Sequence, residues 1–357
     1  MKDRKSLFTL VLALLLFLPL AACFFPISQT STPTPTPMSQ TSAPTSTPAP
    51  ITPRGKTLQV YRGHGGNPVL SLAWDPSGHL LASAGMDQRV NLWNATSGET
   101  VRTYNNMAGQ LLWSHDGKRI AVTTWAAMMS NTKTMPVSIL DATSNKILLT
   151  LSKPAKAITN IAWSPDNTRI ASLSHDGEVQ IWESSTGKLL NSYTAHRDTV
   201  DPGGIAWSPD GKYIASTMTT SDNPLAEVTI WNTTMNEKAF DYRLPVHSLA
   251  WSPDSTQLLS AGDENTVIIW DVATGKTLLS YKGHSDRVLN AVWSPDGQYV
   301  ASAGEDKTVQ IFNAKTGEII FTYKGHQQGI FDLAWSPSGK LIASGVMEGN
   351  VHVWQAF

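Results

Sequence analysis

Serine, histidine and aspartate recur together in this 357-residue chain at spacings that could support nucleophilic chemistry. One set is His64, Ser83 and Asp87, followed by Trp93; another is His196, Ser216 and Asp222, followed by Trp231. A serine whose proton passes to an imidazole oriented by a carboxylate is the relay of covalent hydrolases. Such a centre is normally single. Here the serine returns nine residues after a tryptophan six times, at Ser83, Ser172, Ser216, Ser260, Ser302 and Ser344. That multiplicity points to a structural motif, and the chain is expected not to be an enzyme.

Other patterns carry no chemistry of their own. Gly-Lys-Thr at 55–57 and 275–277 lacks the upstream glycine of a phosphate-binding loop. No metalloprotease, nucleophile-elbow, dinucleotide or calcium-loop motif occurs. Asn94-Ala95-Thr96 and Asn232-Thr233-Thr234 match a glycosylation triplet but sit where turns are expected. A single cysteine, Cys23, rules out a disulfide framework or a site of several thiolates. No cofactor or metal is expected. Lys plus Arg number 27 against 28 Asp plus Glu, a net charge of -1 with 15% of residues charged, so no basic face is available for nucleic acid.

The elements that hold these residues are repeats. Trp precedes a Ser/Asp-Pro-x-Gly turn, or a variant, at Trp74, Trp113, Trp163, Trp207, Trp251, Trp293 and Trp335, with successive spacings of 39, 50, 44, 44, 42 and 42. Periods of about 40 to 45 residues indicate a propeller. A second anchor lies 19 residues later at Trp93, Trp182, Trp270, Phe312 and Trp354, 24 later at Trp231 and 27 later at Leu140. Only one of the 13 tryptophans, Trp125, falls outside the pattern. In the sixth unit, alternation and turn chemistry predict strands over 288–293, 299–303, 308–313 and 318–323. Four strands per unit and seven units predict an all-β, seven-bladed propeller of four-stranded antiparallel blades. The last unit runs out before its fourth strand, while residues 55–64 match 275–284 at seven of ten positions. The N-terminal strand is therefore expected to complete the last blade and close the ring.

The pairs Gly63-His64, Gly283-His284 and Gly325-His326, with Trp270-Asp271, Trp93-Asn94 and Trp231-Asn232, resemble the WD40-repeat family. The resemblance spans residues 55–357. It implies that His64, Ser83, Asp87 and Trp93, and His196, Ser216, Asp222 and Trp231, form buried hydrogen-bonded tetrads. The sets are uneven. Blade 3 lacks the histidine, Glu264 and Glu348 replace the aspartate in blades 5 and 7, Phe312 replaces the tryptophan in blade 6, and blade 2 has Val122 and Leu140 for serine and tryptophan, which makes it the least rigid blade.

The resemblance also implies an interaction scaffold whose partner contacts lie on one rim. Carried onto this sequence, the rim positions are apolar on blades 7, 1 and 2, at Phe331, Met347, Leu70, Met86 and Met107. They are charged on blades 4, 5 and 6, at Asp201, His247, Asp263, Arg287 and Glu305. An insertion in blade 2 adds Trp125, Met128 and Met129 on the same side. Thioethers and an aromatic anchor suit a protein partner. The insertion either docks that partner or plugs its own blade with Trp125.

The first 54 residues differ. Lys2, Arg4 and Lys5 precede an apolar run over 7–18, and Leu20-Ala21-Ala22-Cys23 resembles a bacterial lipobox, which implies a signal peptide over 1–22 and lipidation of Cys23. Residues 27–53 contain 20 Ser, Thr or Pro in 27 positions and no charge, the composition of a disordered tether over 23–54. The expected protein is thus a scaffold on the outer side of a cell membrane, held by its lipidated N-terminus. The serine-proline turns also resemble propellers of the TolB envelope type, an alternative role in envelope assembly. A small-molecule sensor or enzyme would use His247, Asp263 and Glu305 at the central channel.

Overall fold

The seven Trp-anchored turns organise the molecule. In the sixth, the Ser294 hydroxyl donates to Asp296 at 2.6 Å and accepts the Tyr299 amide at 2.9 Å, while the Asp296 carboxylate accepts the Gln298 amide at 3.0 Å. Gly297 then turns with φ 69°, and the same position in blades 3 and 5 is Asn167 at 61° and Ser255 at 62°. Only a residue tolerant of the left-handed region fits there. The turn reverses the chain between two short strands, and repetition of that reversal produces the sheets.

The computed structural model describes residues 54–124, 136–151, 157–196, 199–220, 223–244, 246, 248–262 and 264–357, with the side chains of 199–202, 219–220, 223–227 and 240–244 excepted. These residues form seven four-stranded antiparallel sheets. Blade 1 contains Val69–Trp74, Leu80–Gly85, Arg89–Asn94 and Thr100–Asn105. Blade 6 contains Val288–Trp293, Tyr299–Gly304, Val309–Asn313 and Ile319–Tyr323, within one residue of the sequence-based bounds. Blade 2 opens on a strand of three residues, Leu111–Trp113. Blade 4 is the longest, with Thr199–Trp207, Tyr213–Thr220, Asn223–Asn232 and Glu237–Leu244.

Blade 7 takes only three strands from the end of the chain, Ile330–Trp335, Leu341–Val346 and Val351–Gln355. Its fourth is Thr57–Tyr61, antiparallel to Val351–Gln355 with Tyr61 opposite Val351 and Val60 opposite His352. The Gly55 amide donates to the Gln355 carbonyl at 2.7 Å and extends the clasp by one step. The two ends of the folded segment are thereby joined in one sheet, and ring closure follows the expected topology.

Inner strands pack against one another around the central channel, and the tryptophan of each joins blade to blade. Trp74 donates its indole N–H to the Ala334 carbonyl at 3.1 Å, Trp113 to Ala73 at 3.2 Å, Trp163 to Leu112 at 3.3 Å, Trp251 to Ala206 at 3.1 Å and Trp293 to Ala250 at 3.2 Å. Each acceptor is the residue just before the preceding blade's own tryptophan. Two blades depart from this rule. Trp207 turns to Gly211 of its own blade at 3.1 Å, and the buried Trp335 N–H meets no acceptor while Phe357 stacks on its ring at 5.8 Å.

Apolar packing fills the wedges between blades. Between blades 1 and 2, Leu92, Tyr104, Leu111, Trp113 and Leu140 form one buried cluster. Leu140, standing where other blades carry an aromatic, is fully buried in it. A wholly buried aliphatic side chain of this size contributes roughly 1.5 to 3 kcal/mol.

Candidate functional site

The serine, histidine and aspartate of blade 1 meet in the order of a nucleophilic relay. His64 Nδ1 lies 2.9 Å from Asp87, and its Nε2 lies 2.7 Å from the Ser83 hydroxyl. The carboxylate can only accept, so Nδ1 carries the proton and Ser83 donates to Nε2. Trp93 then donates its indole N–H to Ser83 at 3.2 Å, completing a chain from the third strand to the loop before the first. Ser83 is 0% exposed and His64 1%, so a substrate carbonyl has no approach to the hydroxyl. The arrangement ties a loop to two strands. Blade 6 repeats it, with His284 2.8 Å from Asp306 and 2.7 Å from Ser302. Burial opposes ionisation of Asp306, but its bond and charge interaction with His284 win, and its carboxyl lies below the ordinary range.

The blade 4 set is less complete than the sequence implies. His196 reaches Ser216 at 3.0 Å, but the Trp231 N–H has no acceptor, and Asp222 lies outside the described residues. The Trp231 ring lies flat on Tyr193 at 3.7 Å, closer than the 4.2 Å between Trp93 and Tyr61. Stacking, rather than the serine hydroxyl, fixes that indole.

The rim positions divide. Leu70, Met86, Phe331 and Met347 are partly exposed on the side of the ring that carries the His64 loop. Met107 is not a rim residue: it is 5% exposed and packs with Leu92, Tyr104 and Leu111 in the core between blades 1 and 2. Its amide is pinned to the Gln88 carbonyl at 3.0 Å, which turns the side chain inward. On blade 6, Arg287 and Glu305 form a two-point ion pair, Nη2 to Oε1 at 2.7 Å and Nε to Oε2 at 3.2 Å. Trp125, Met128, Met129, His247, Asp263, Cys23 and residues 1–53 of the signal and tether segments lie outside the described residues, as does the side chain of Asp201.

Two features escaped sequence reasoning. The first is a polar belt on the channel wall at the position three residues before the first-strand tryptophan in every blade but the fourth, where Gly204 stands. Leu72 N donates to Asp332 at 2.7 Å, Leu111 N to Ser71 at 3.2 Å and Ile161 N to Gln110 at 2.6 Å, each across a blade boundary. Asn290 of blade 6 also donates to Asp332, and Ser248 of blade 5 donates to Asn290 at 3.1 Å. The fixed offset from Trp was available as a signal. The second is the outer wall: all nine large apolar side chains that stand exposed among the described residues, from Leu58 to Ile319, lie on outer strands or the turns leading into them, and none on the rim. A groove of about 560 Å³, lined by Pro295, Tyr299, Pro337, Lys340 and Phe357, opens between the turns of blades 6 and 7.

A closed ring of seven blades, with buried His–Ser bonds in blades 1, 4, 6 and 7, defines the class as a repeat propeller. The chain belongs to the WD40 family: the family model "WD domain, G-beta repeat" matches residues 55–94, 187–223, 240–271, 275–313 and 317–355, about half of the sequence. The model "Anaphase-promoting complex subunit 4 WD40 domain" matches 126–202. Among relatives, eukaryotic translation initiation factor 3 subunit I of Candida albicans is 29% identical over 153 residues, 40% of this chain and 43% of that protein. Coronin-7 of Mus musculus is 33% identical over 131 residues, 35% of this chain and 14% of that protein, and protein tipD of Dictyostelium discoideum 27% over 126, or 33% and 19%. The chain thus spans less than half the length of these relatives. WD40 propellers are typically protein-interaction scaffolds, and the fold of this chain is of that kind.

Proposed function

We propose that this protein is a membrane-anchored scaffold that binds a protein partner through the rim of blades 7 and 1. The observation that carries the reading is the grouping of Leu70, Met86, Phe331 and Met347, partly exposed and apolar, on the side of the ring where blade 6 presents the Arg287–Glu305 pair. An apolar centre beside a polar edge is the anatomy of a docking surface. A relative named as a subunit of an initiation factor, and a matching family model named for a subunit of the anaphase-promoting complex, are by those names tied to assemblies, which supports a scaffold role.

The anchor completes the proposal. Residues 1–22 act as an export signal, Cys23 carries the lipid, 23–54 form the tether and 55–357 the propeller, on the extracytoplasmic face of the membrane. Crosslinking in membranes of the producing cell tests both halves. Wild type is expected to capture one specific protein that Phe331→Asp, at equal melting temperature, does not; Cys23→Ala is expected to lose palmitate labelling and membrane retention. Equal capture by Phe331→Asp overturns the rim, and lipid-free wild-type protein overturns the anchor.

A further inference from the structure

Blade 7 carries a pair of histidines where the other blades carry one or none. In blades 1 and 6 the buried tetrad histidine has its Nδ1 held by an aspartate, at 2.9 and 2.8 Å. In blade 7 the residue at that place is Glu348, which is exposed, and the Nδ1 of His326 has no partner although His326 is only 5% exposed. Trp354 donates to Ser344 at 3.1 Å and Ser344 lies 2.7 Å from His326 Nε2, so the hydroxyl engages one ring nitrogen and the other stays unbonded. Its ring lies 4.2 Å from that of His352 at an interplanar angle of 31°. Positions equivalent to His352 on the other third strands are neutral, such as Asn91, Gln180 and Gln310.

His352 is also wired to the closing strand. Tyr323 of blade 6 places its hydroxyl 2.8 Å from His352 Nδ1 and 2.7 Å from Thr57 Oγ1, and stacks on Trp354 at 4.4 Å. Val60 of the closing strand faces His352 in the sheet. The strands around the pair, Thr57–Tyr61, Ile319–Tyr323, Leu341–Val346 and Val351–Gln355, carry no acidic side chain. Asp332, on Ile330–Trp335, is engaged with Leu72 and Asn290 at the channel. The charged groups of the flanking loops are Arg62, Lys324 and Glu348, all exposed, and the positive charge of Arg62 acts on His352.

We propose that His326 and His352 form an acid-sensitive latch on the ring: with both imidazoles neutral the strand Thr57–Tyr61 stays clasped, and protonation of either one releases it. A proton on either ring places a cation against a second imidazole, with no carboxylate bonded to either. Burial, and then the proximity of His352, pushes His326 down to about 3, and burial followed by Arg62 pushes His352 below the ordinary histidine range. The folded pair stays neutral while the unfolded chain takes up protons near pH 6.5, so the stabilisation is present above that pH and drains away as pH falls toward 3.

Hydrogen exchange on the full-length chain tests the latch. After correction for intrinsic rates, wild-type amides of 57–61 and 351–355 are expected to exchange about tenfold faster at pH 5 than at pH 7.5. His352→Gln, which copies blades 3 and 6 and leaves His326 as the one remaining imidazole, is expected to show a clearly smaller acid response than wild type, about threefold. Unchanged wild-type protection, or an equal acid response in His352→Gln, overturns the proposal. Should that variant fail to fold, NMR titration of the wild-type imidazoles decides: both are expected to titrate below 6.5, and either titrating at or above 6.5 removes the latch.

Discussion

The backbone amide of Leu72, in blade 1, donates to the carboxyl of Asp332, in blade 7, at 2.7 Å across the junction that closes the ring. Closure therefore rests on an inner tie as well as the outer clasp of Thr57–Tyr61 on Val351–Gln355. Burial pushes the Asp332 carboxyl up to about 7 against the opposing amides of Leu72 and Leu333. A raised carboxyl contributes stability that is full below pH 4 and is lost as pH rises to 7. The melting-temperature advantage of wild type over Asp332→Asn is expected to shrink between pH 5 and pH 7.5; a constant difference would show that the carboxyl is ionised throughout.

Removal of residues 56–61 leaves blade 7 with three strands and an exposed edge. The truncated protein is expected to lose cooperative unfolding in urea, with separate transitions by fluorescence and circular dichroism. A single coincident transition at the wild-type midpoint refutes the closure.

Ser83 accepts from Trp93 and donates to His64, whereas Ser216 meets His196 alone. Ser83→Ala strands two buried polar groups, at about 1 to 3 kcal/mol each. It is expected to destabilise the protein more than Ser216→Ala by at least about 1 kcal/mol in denaturant titration. Equal losses would mean that the blade 4 indole is bonded after all.

Trp293 spends its N–H on the Ala250 carbonyl, while Trp335 has no acceptor. Replacement by phenylalanine keeps the ring but removes the donor. Trp293→Phe is expected to cost about 1 kcal/mol beyond the cost of Trp335→Phe. Calorimetry showing the reverse order would contradict the seam geometry.

Met107, six residues before Trp113, and Met347, one before Glu348, are both rim positions by sequence but have opposite environments. Met107→Lys buries a charge in an apolar cluster and is expected to lower the melting temperature by about six degrees, on the order of 3 kcal/mol. Met347→Lys is expected to leave melting within about two degrees and to weaken partner capture. A reversed pattern restores Met107 to the rim.

Period and turn chemistry, which are local, determined most of the architecture. Tryptophan spacing, the Ser-Pro-Asp-Gly turns and strand alternation were enough for seven blades, strand bounds within a residue in blade 6, and the pairing of Thr57–Tyr61 with Val351–Gln355. Each depends on residues a few positions apart, or on the ring having nowhere else to find a strand. Side-chain direction at the seams is a different matter, because it depends on the neighbouring blade. The same rim position, six residues before the tryptophan, places Met107 in the core and leaves Arg287 partly open. The same tetrad pattern bonds Trp93 to a serine and leaves Trp231 on Tyr193. The same histidine rests on aspartate in blades 1 and 6 and against His352 in blade 7. Those outcomes arise from contacts between chain segments 19 to 260 residues apart, and only the packed tertiary structure brings such segments into the same few ångströms.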